Sequence, residues 1–398
     1  MDSVVEAHTP SVAPSAQAIP HSRVRELAEM AMGMDGVFKL YFGESSLPTP
    51  EYIKRAAQKA MTDGFTMYTE SAGLPSLRRA IARFYSEKHA VELDPSNEIV
   101  VTASGAQALH LAIRCVLDPG DEALVLTPAF PNGSANVAMC SAKAIEIPHP
   151  LVGDRYQIDF DALEAAVTPR TRLLIYTSPS NPLGWVANVE EQRKLLEFTR
   201  KHNLWLMADE VYERLYYSDK PGQPANTILK LATREDAVIV IQSFSKAYCM
   251  TGWRLGWMVL RRDVGARAGR LNEFVISCPP SFTQRAGETA LLWGDAELLK
   301  MLSTLKANRD FCMAALQKMP GVTVPKTEGA FYLFPKIAGL TDSLGFCKTL
   351  LLETQVGLAP GMAFGAGGEG SVRICYASER PILEQAMARL SLFMKSRA

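Results

Sequence analysis

With 398 residues, 47% of them hydrophobic and 21% charged, the chain has the make-up of a globular protein with one large or two interlocked domains. Its formal net charge is +0, from 42 basic and 42 acidic side chains, so nothing steers it toward nucleic acid or an anionic membrane. No apolar stretch is long enough to span a bilayer. Residues 1–21 (MDSVVEAHTPSVAPSAQAIPH) lack the basic start and apolar block of a secretory signal and are expected to form a flexible N-terminal arm.

Residues 22–33 (SRVRELAEMAMG) place apolar side chains at helical spacing behind a serine suited to cap them. Residues 37–41 (VFKLY) read as a short strand, stopped by Gly43 and the Pro48/Pro50 turn. Residues 51–63 and 74–88 read as helices, the second carrying Pro75 in its first turn. Short apolar runs follow at 99–102, 123–127, 173–177, 204–208, 237–241 and 256–260, with helical segments such as 189–201 between several of them. This alternation predicts an α/β fold whose mainly parallel sheet is covered on both faces. Ligands of such sheets bind just past the carboxyl ends of the strands. Ser104, Phe130, Asn181, Asp209 and Lys246 all fall there. After about residue 287 the pattern becomes long helix, then FYLFP, helix and VRICYA, which reads as a smaller α+β lobe joined by residues 22–49.

The seven cysteines are scattered, with no C-x-x-C pair, and the six histidines are equally dispersed. Neither a disulfide framework nor a metal site is expected, and reduced thiols point to a cytoplasmic compartment. Two further patterns mislead. GAGGEG (365–370) matches G-x-G-x-x-G, but a strand-like segment follows it where a dinucleotide site needs a helix. The neighbours Asp209 and Glu210 should point in opposite directions at a strand end, so they do not form a carboxylate pair acting on one atom.

Residues 243–257 (SFSKAYCMTGWRLGW) carry the chemistry. An amine nucleophile needs a carbonyl partner and a setting that keeps part of it unprotonated. Lys246 follows a buried strand, and Trp253 and Trp257 are expected to dry its surroundings. Ser243, Ser245, Arg254 and the glycines supply hydroxyls, a fixed positive charge and a tight turn, the parts of a phosphate site. A phosphorylated carbonyl compound held beside a lysine is pyridoxal 5′-phosphate (PLP).

From about residue 22 onward the chain resembles the class I/II aminotransferases of PLP fold type I. The matching segments, in the family's order, are Y-x-x-x-x-G-x-x-x-L-R (68–78), SGAQAL (104–109), PAFP (128–131), SNPLG (180–184), DEVY (209–212), the lysine segment, GAFYLFP (329–335) and VRICYA (372–377). The resemblance implies a large PLP-binding domain with a sheet of the seven-stranded type (50–287) and a small domain built from 22–49 and 288–398. It implies that Lys246 anchors the cofactor covalently and shuttles the proton at the substrate Cα, and that Asp209 pairs with the pyridine nitrogen. Asn181 and Tyr212 would bind the phenolic oxygen, and Phe130 would stack on the ring. Ser104, Gly105, Ala106, Ser243, Ser245 and Arg254 would hold the phosphate, with Tyr68 reaching it from the partner subunit of a homodimer. Arg373, with Asn181 and Gly43 nearby, would receive the substrate α-carboxylate.

The implied activity is transfer of an amino group from an L-amino acid to a 2-oxo acid by a ping-pong cycle. Narrower or different alternatives are an aspartate aminotransferase and a C–S β-lyase; a non-catalytic regulator is a third reading. Two departures bear on the substrate. GESSLPTP (43–50) replaces the family's G-E-P-D segment, and Ala106 stands where some aspartate-using relatives carry a lysine. A neutral substrate side chain, or broad specificity, is the resulting expectation.

Overall fold

A computed structural model describes residues 11–17 and 19–397. Part of the expected arm, residues 1–10 and 18, lies outside the described residues; within the remainder Pro14–Gln17 forms one helical turn. The first longer helix, α1 (Arg23–Ala31), is capped by Ser22, whose hydroxyl accepts from the Arg25 N–H. It buries Leu27, Ala28 and Ala31, the stripe that the spacing predicted. The strand expected at 37–41 is short, Phe38–Lys39, and pairs with Val356–Gly357.

Seven strands form the main sheet: β1 (Ile99–Thr102), β2 (Glu122–Thr127), β3 (Lys143–Pro148), β4 (Thr171–Thr177), β5 (Trp205–Asp209), β6 (Val238–Ser243) and β7 (Gly256–Leu260). Their spatial order is β1-β7-β6-β5-β4-β2-β3. All pairings are parallel except those of β7, which runs antiparallel to β1 and β6. Period-two alternation sorts the apolar side chains into two cores. Leu124, Leu174, Leu206 and Val240 face one, while Val125, Ile175, Met207 and Ile241 face the other. Helix α2 (Gly105–Val116) and the helix Arg262–Ile276 cover the second face. Helix α3 (Val189–His202) belongs to the first and opens on an Asn188–Glu191 capping box.

Past residue 280, Ser281–Trp293 and Asp295–Leu316 are separate helices on either side of Gly294. A three-stranded sheet of β8 (Tyr332–Leu333), β9 (Ala359–Pro360) and β10 (Val372–Cys375) follows, in the order β8-β10-β9. Residues 365–370 form the loop expected in place of a dinucleotide turn, and β10 follows them. No helix among the described residues is long and apolar enough to cross a membrane.

Candidate active site

The parallel strands β1, β2, β4, β5 and β6 end at one edge of the sheet, and a cavity of about 460 Å³ opens there. Its wall carries Ser104, Phe130, Asn181, Asp209 and Lys246, each following its strand as the sequence pattern required. Antiparallel β7 begins at the same edge, which brings in Arg254 just ahead of it.

At one end the backbone turns sharply into α2. Ser104 has φ of 123°, a conformation costly for any residue with a Cβ, and its hydroxyl caps the helix by accepting from the Gln107 N–H. The Gly105 and Ala106 N–H groups stand at this helix start, where the helix dipole favours an anion. A Cβ on Gly105 would lie 3.2 Å from the Ser243 Cβ, so glycine allows the cradle and β6 to close up. Ser243 and Ser245 face the same corner, tied by a 3.1 Å bond from the Ser245 N–H to the Ser243 hydroxyl. Arg254, at φ of 52°, is exposed and donates to the Thr251 carbonyl oxygen at 2.6 Å.

Lys246 stands mid-cavity and donates to the Gly43 carbonyl oxygen at 2.6 Å. The aromatic rings around it are not the expected ones. Trp257 is buried against Phe84 and Phe244, away from the cavity, because its position on β7 points it to the opposite face. Trp253 donates its indole N–H to Thr49 and also lies outside the cavity wall. Tyr212 and Phe331 surround the ammonium instead, with ring centroids at 5.5 and 5.8 Å.

Asp209 ends β5 with its carboxylate accepting one long bond, 3.3 Å, from the Val211 N–H. Burial pushes its pKa up to about 6. Glu210 turns the other way, as adjacent strand residues must; it accepts from the Ile228 N–H, and burial raises its pKa to about 8. The Tyr212 hydroxyl lies 2.7 Å from that of Tyr332, whose ring also sits 4.6 Å beneath the Arg373 guanidinium. A Cβ on Gly43 would collide with the Tyr332 hydroxyl.

Arg373 is 2% exposed and has no carboxylate partner among the described residues. It donates to Asn181 Oδ1 at 2.9 Å and to the Tyr41 carbonyl oxygen, and its Nε–H is left without an acceptor. A guanidinium cannot shed its charge on burial, so this arrangement suits an external anion. The cavity thus has two cationic ends, a cradle at α2 and a fork at Arg373, with an amine and a carboxylate between them.

The comparisons with known proteins give this arrangement its family. A model of the family described as aminotransferase class I and II matches residues 36–390. The chain belongs to the class I and II aminotransferases.

The aspartate aminotransferase of Pyrococcus horikoshii is 34% identical over 377 residues, 94% of each chain. The aromatic-amino-acid aminotransferase 2 of Thermococcus litoralis is 33% identical over 382 residues, 94% of this chain and 96% of that one. Among solved structures, the aspartate aminotransferase of Thermotoga maritima superposes with a TM-score of 0.90 at 31% identity, covering 96% of this chain and 100% of the other. The fold is accordingly PLP fold type I, and this aminotransferase uses pyridoxal 5′-phosphate as its cofactor.

The residues present fit that cofactor: a cradle of N–H groups and hydroxyls for a dianion, an amine, and an unpaired carboxylate at the far side. Tyr68 lies outside the cavity of its own chain and is 87% exposed. Sequence reasoning assigned no role to several other members of the wall. Tyr332 sits inside a segment matched to the family, GAFYLFP, and that was its only signal. Glu44 lies in GESSLPTP, the segment that bears on the substrate, and Tyr41 lies just before it, while the N-cap Ser22 and the α1 residues Val24 and Arg25 gave no signal, since only folding brings them to the cavity wall.

Proposed function

We propose that the residue roles of this aminotransferase follow the cavity's two cationic ends. The enzyme moves an amino group from an L-amino acid to a 2-oxo acid in two half-reactions. The cofactor supplies the carbonyl carbon that receives the amine and a ring that withdraws electrons from the substrate Cα.

The chain's own residues position and protonate. Ser104, Gly105, Ala106, Ser243, Ser245 and Arg254 hold the phosphate. Phe130 covers one face of the ring, Asp209 keeps the pyridine nitrogen protonated, and Asn181 and Tyr212 bind the phenolic oxygen. Tyr332 positions Tyr212 through their shared hydrogen bond. Arg373 takes the substrate α-carboxylate in a fork completed by Asn181, and Gly43 leaves room for it. Lys246 would hold the cofactor covalently and supplies the amine that moves the proton at the substrate Cα as a general acid–base group. Its bond to the Gly43 carbonyl and the Arg373 bond to the Tyr41 carbonyl tie both side chains to one short segment. The buried Arg373 carries the reading, because no carboxylate among the described residues pairs with it and a substrate carboxylate would.

We also propose the division into a large domain (50–287) and a small one (22–49 with 288–398), and a homodimer in which the exposed Tyr68 reaches the partner's phosphate cradle. None of the seven cysteines is disulfide-bonded, which supports a reducing compartment such as the cytoplasm. The test is twofold. Borohydride reduction of the PLP-loaded enzyme followed by peptide mapping should leave the label on Lys246, and a label on another lysine overturns the anchor assignment. A half-reaction screen against a panel of amino acids should convert the cofactor's absorbance to the aminated form; pyruvate and ammonia from a β-substituted amino acid, without that conversion, would instead indicate a β-lyase.

A further inference from the structure

The glycine-rich run GAGGEG (365–370) takes no part in the roles proposed above, yet it lies close to them. It belongs to the tip of a hairpin: β9 and β10 pair antiparallel, with Ala359 opposite Arg373 and Pro360 opposite Val372. Arg373 therefore stands on one stem of the hairpin, so a displacement of the tip is passed along a paired strand to its guanidinium. Gly365, Gly367 and Gly370 all have positive φ, and the tip has little stiffness of its own.

Glu146 holds that tip from outside. It lies on the edge strand β3, where a charged side chain commonly faces water and discourages strand pairing. Its carboxylate instead accepts from the Ala366 N–H and from the Ser134 hydroxyl, each at 2.8 Å. Among the described residues it forms no ion pair, so charge balance does not account for its placement. A Cβ on Gly365 would lie 2.7 Å from Glu146 Oε2, and one on Gly367 would lie 2.9 Å from the Pro148 Cβ. Glycine lets the tip close onto the strand.

Two ties lead from this contact into the cavity. Phe364, buried just before the glycine run, accepts at its carbonyl from the Ala129 N–H at 2.9 Å, and the Arg373 guanidinium lies 4.8 Å from its ring centroid. Ala129 immediately precedes Phe130, while Ser134 follows it by four residues in the helix Asn132–Met139. Glu146 and Phe364 thus grip the Phe130 segment from both sides and bind it to the hairpin that carries Arg373. The far end of the tip is fixed separately, by Glu369, whose carboxylate accepts from the Ser343 N–H and hydroxyl.

We infer that Glu146 is a positioning residue for the substrate α-carboxylate: it clamps the hairpin tip to the sheet edge and so keeps the Arg373 fork at a fixed distance from Phe130. The inference rests on the assignment of the α-carboxylate to Arg373. Every amino acid carries that carboxylate, so loosening the clamp weakens all substrates by a similar factor whatever their side chain. The loss falls on binding, since the Glu146 bonds reach neither Lys246 nor the phosphate cradle.

The experiment uses the PLP-loaded enzyme and its Glu146→Ala, Glu146→Gln and Arg373→Gln variants, with the Glu146→Ala/Arg373→Gln double variant. It follows half-reactions with alanine, glutamate and phenylalanine, competitive binding of butanoate (a carboxylate with no amine), and amide hydrogen exchange across residues 361–371. Glu146→Ala should raise KM about 10-fold for all three amino acids, leave kcat within about 3-fold, weaken butanoate by a similar factor and speed the exchange. Glu146→Gln keeps the volume and an acceptor oxygen, so it should restore most of the KM, and it reads the same site if the alanine variant folds poorly. Unchanged KM values in Glu146→Ala, a loss confined to kcat, or a loss restricted to one amino acid would each overturn the proposal. In the double variant the two losses should not multiply, because Glu146 acts through Arg373; full multiplication would mean that it acts elsewhere. If Arg373→Gln leaves butanoate binding and all three KM values intact, the α-carboxylate assignment fails. If it impairs them while Glu146→Ala does not, only the Glu146 proposal fails.

Discussion

Asp209 shows most directly how this site sets stability against chemistry. Folding raises its pKa from 3.8 to about 6, through burial at the end of β5 with only one long hydrogen bond in return. The cofactor-free folded protein therefore holds a proton between roughly pH 4 and 6 that the unfolded chain releases, and stability falls as pH rises through that window. Above pH 6 the full penalty applies, at most about 3 kcal/mol for a shift of this size. Asp209→Asn should raise the melting temperature of the cofactor-free protein at pH 7 and leave it nearly unchanged at pH 4. The same variant should lose the half-reaction by more than about 100-fold, since a fixed charge aimed at the reacting system is gone. A variant no more stable at pH 7 than the parent would show that the carboxylate is not held under strain in the empty cavity. The sequence made Asp209 legible through its place after a buried strand. It said nothing of the desolvation, which depends on what packs around that strand end.

At the scale of elements, the phosphate cradle depends on how closely β7 approaches the start of α2. A Cβ on Gly256 would fall 2.5 Å from the Gly105 nitrogen and 2.7 Å from the Gln242 carbonyl oxygen, both backbone atoms that cannot rotate away. Gly256→Ala should therefore push the strand off the cradle, costing about 1–3 kcal/mol of stability and weakening cofactor retention, read by equilibrium dialysis of PLP. Gly252, four residues earlier in the same signature, has nothing within 4 Å of its would-be Cβ, and Gly252→Ala should retain cofactor normally. Equal retention by both variants would contradict the close-approach argument. Elements with a strong apolar period were legible: β1 and β7 match the runs at 99–102 and 256–260. The run of β3, KAIEIP, was missed because an edge strand is only partly buried and Lys143 and Glu146 break up its apolar residues. The two tryptophans were misassigned for a related reason. Proximity to Lys246 in sequence does not say which face of β7 Trp257 takes, nor that Trp253, in the turn ahead of β7, donates to Thr49 instead.

For the whole molecule, the exposed Tyr68 and the proposed sharing of sites across a dimer lead to a complementation experiment. Lys246→Ala chains should be inactive and Tyr68→Ala chains should bind cofactor poorly. When the two are mixed and allowed to exchange subunits, each hybrid dimer regains one site with both native residues, so activity should reappear toward half of the hybrid fraction's capacity. No recovery, with exchange confirmed by mass, would mean that Tyr68 serves its own chain or none. The whole molecule is also where the two ends of the chain meet. Gly43 lies 203 positions from Lys246, and Asn181 lies 192 from Arg373, yet each pair is hydrogen-bonded.

By itself the sequence determined what local pattern can encode: the alternation of buried strands and helices, the polar residues stationed after each strand, and the lysine segment that names the cofactor. These are properties of a few consecutive residues, written by periodicity and turn chemistry. Only the tertiary structure decided the rest. It turned Trp257 away from the site and put Tyr212 and Phe331 around Lys246, because the side of a sheet is set by strand register. It left Arg373 buried without an acid, and it carried Arg25 across the cavity mouth on a helix more than two hundred residues from the lysine. Such meetings arise from packing between distant segments, whose partners no local pattern specifies.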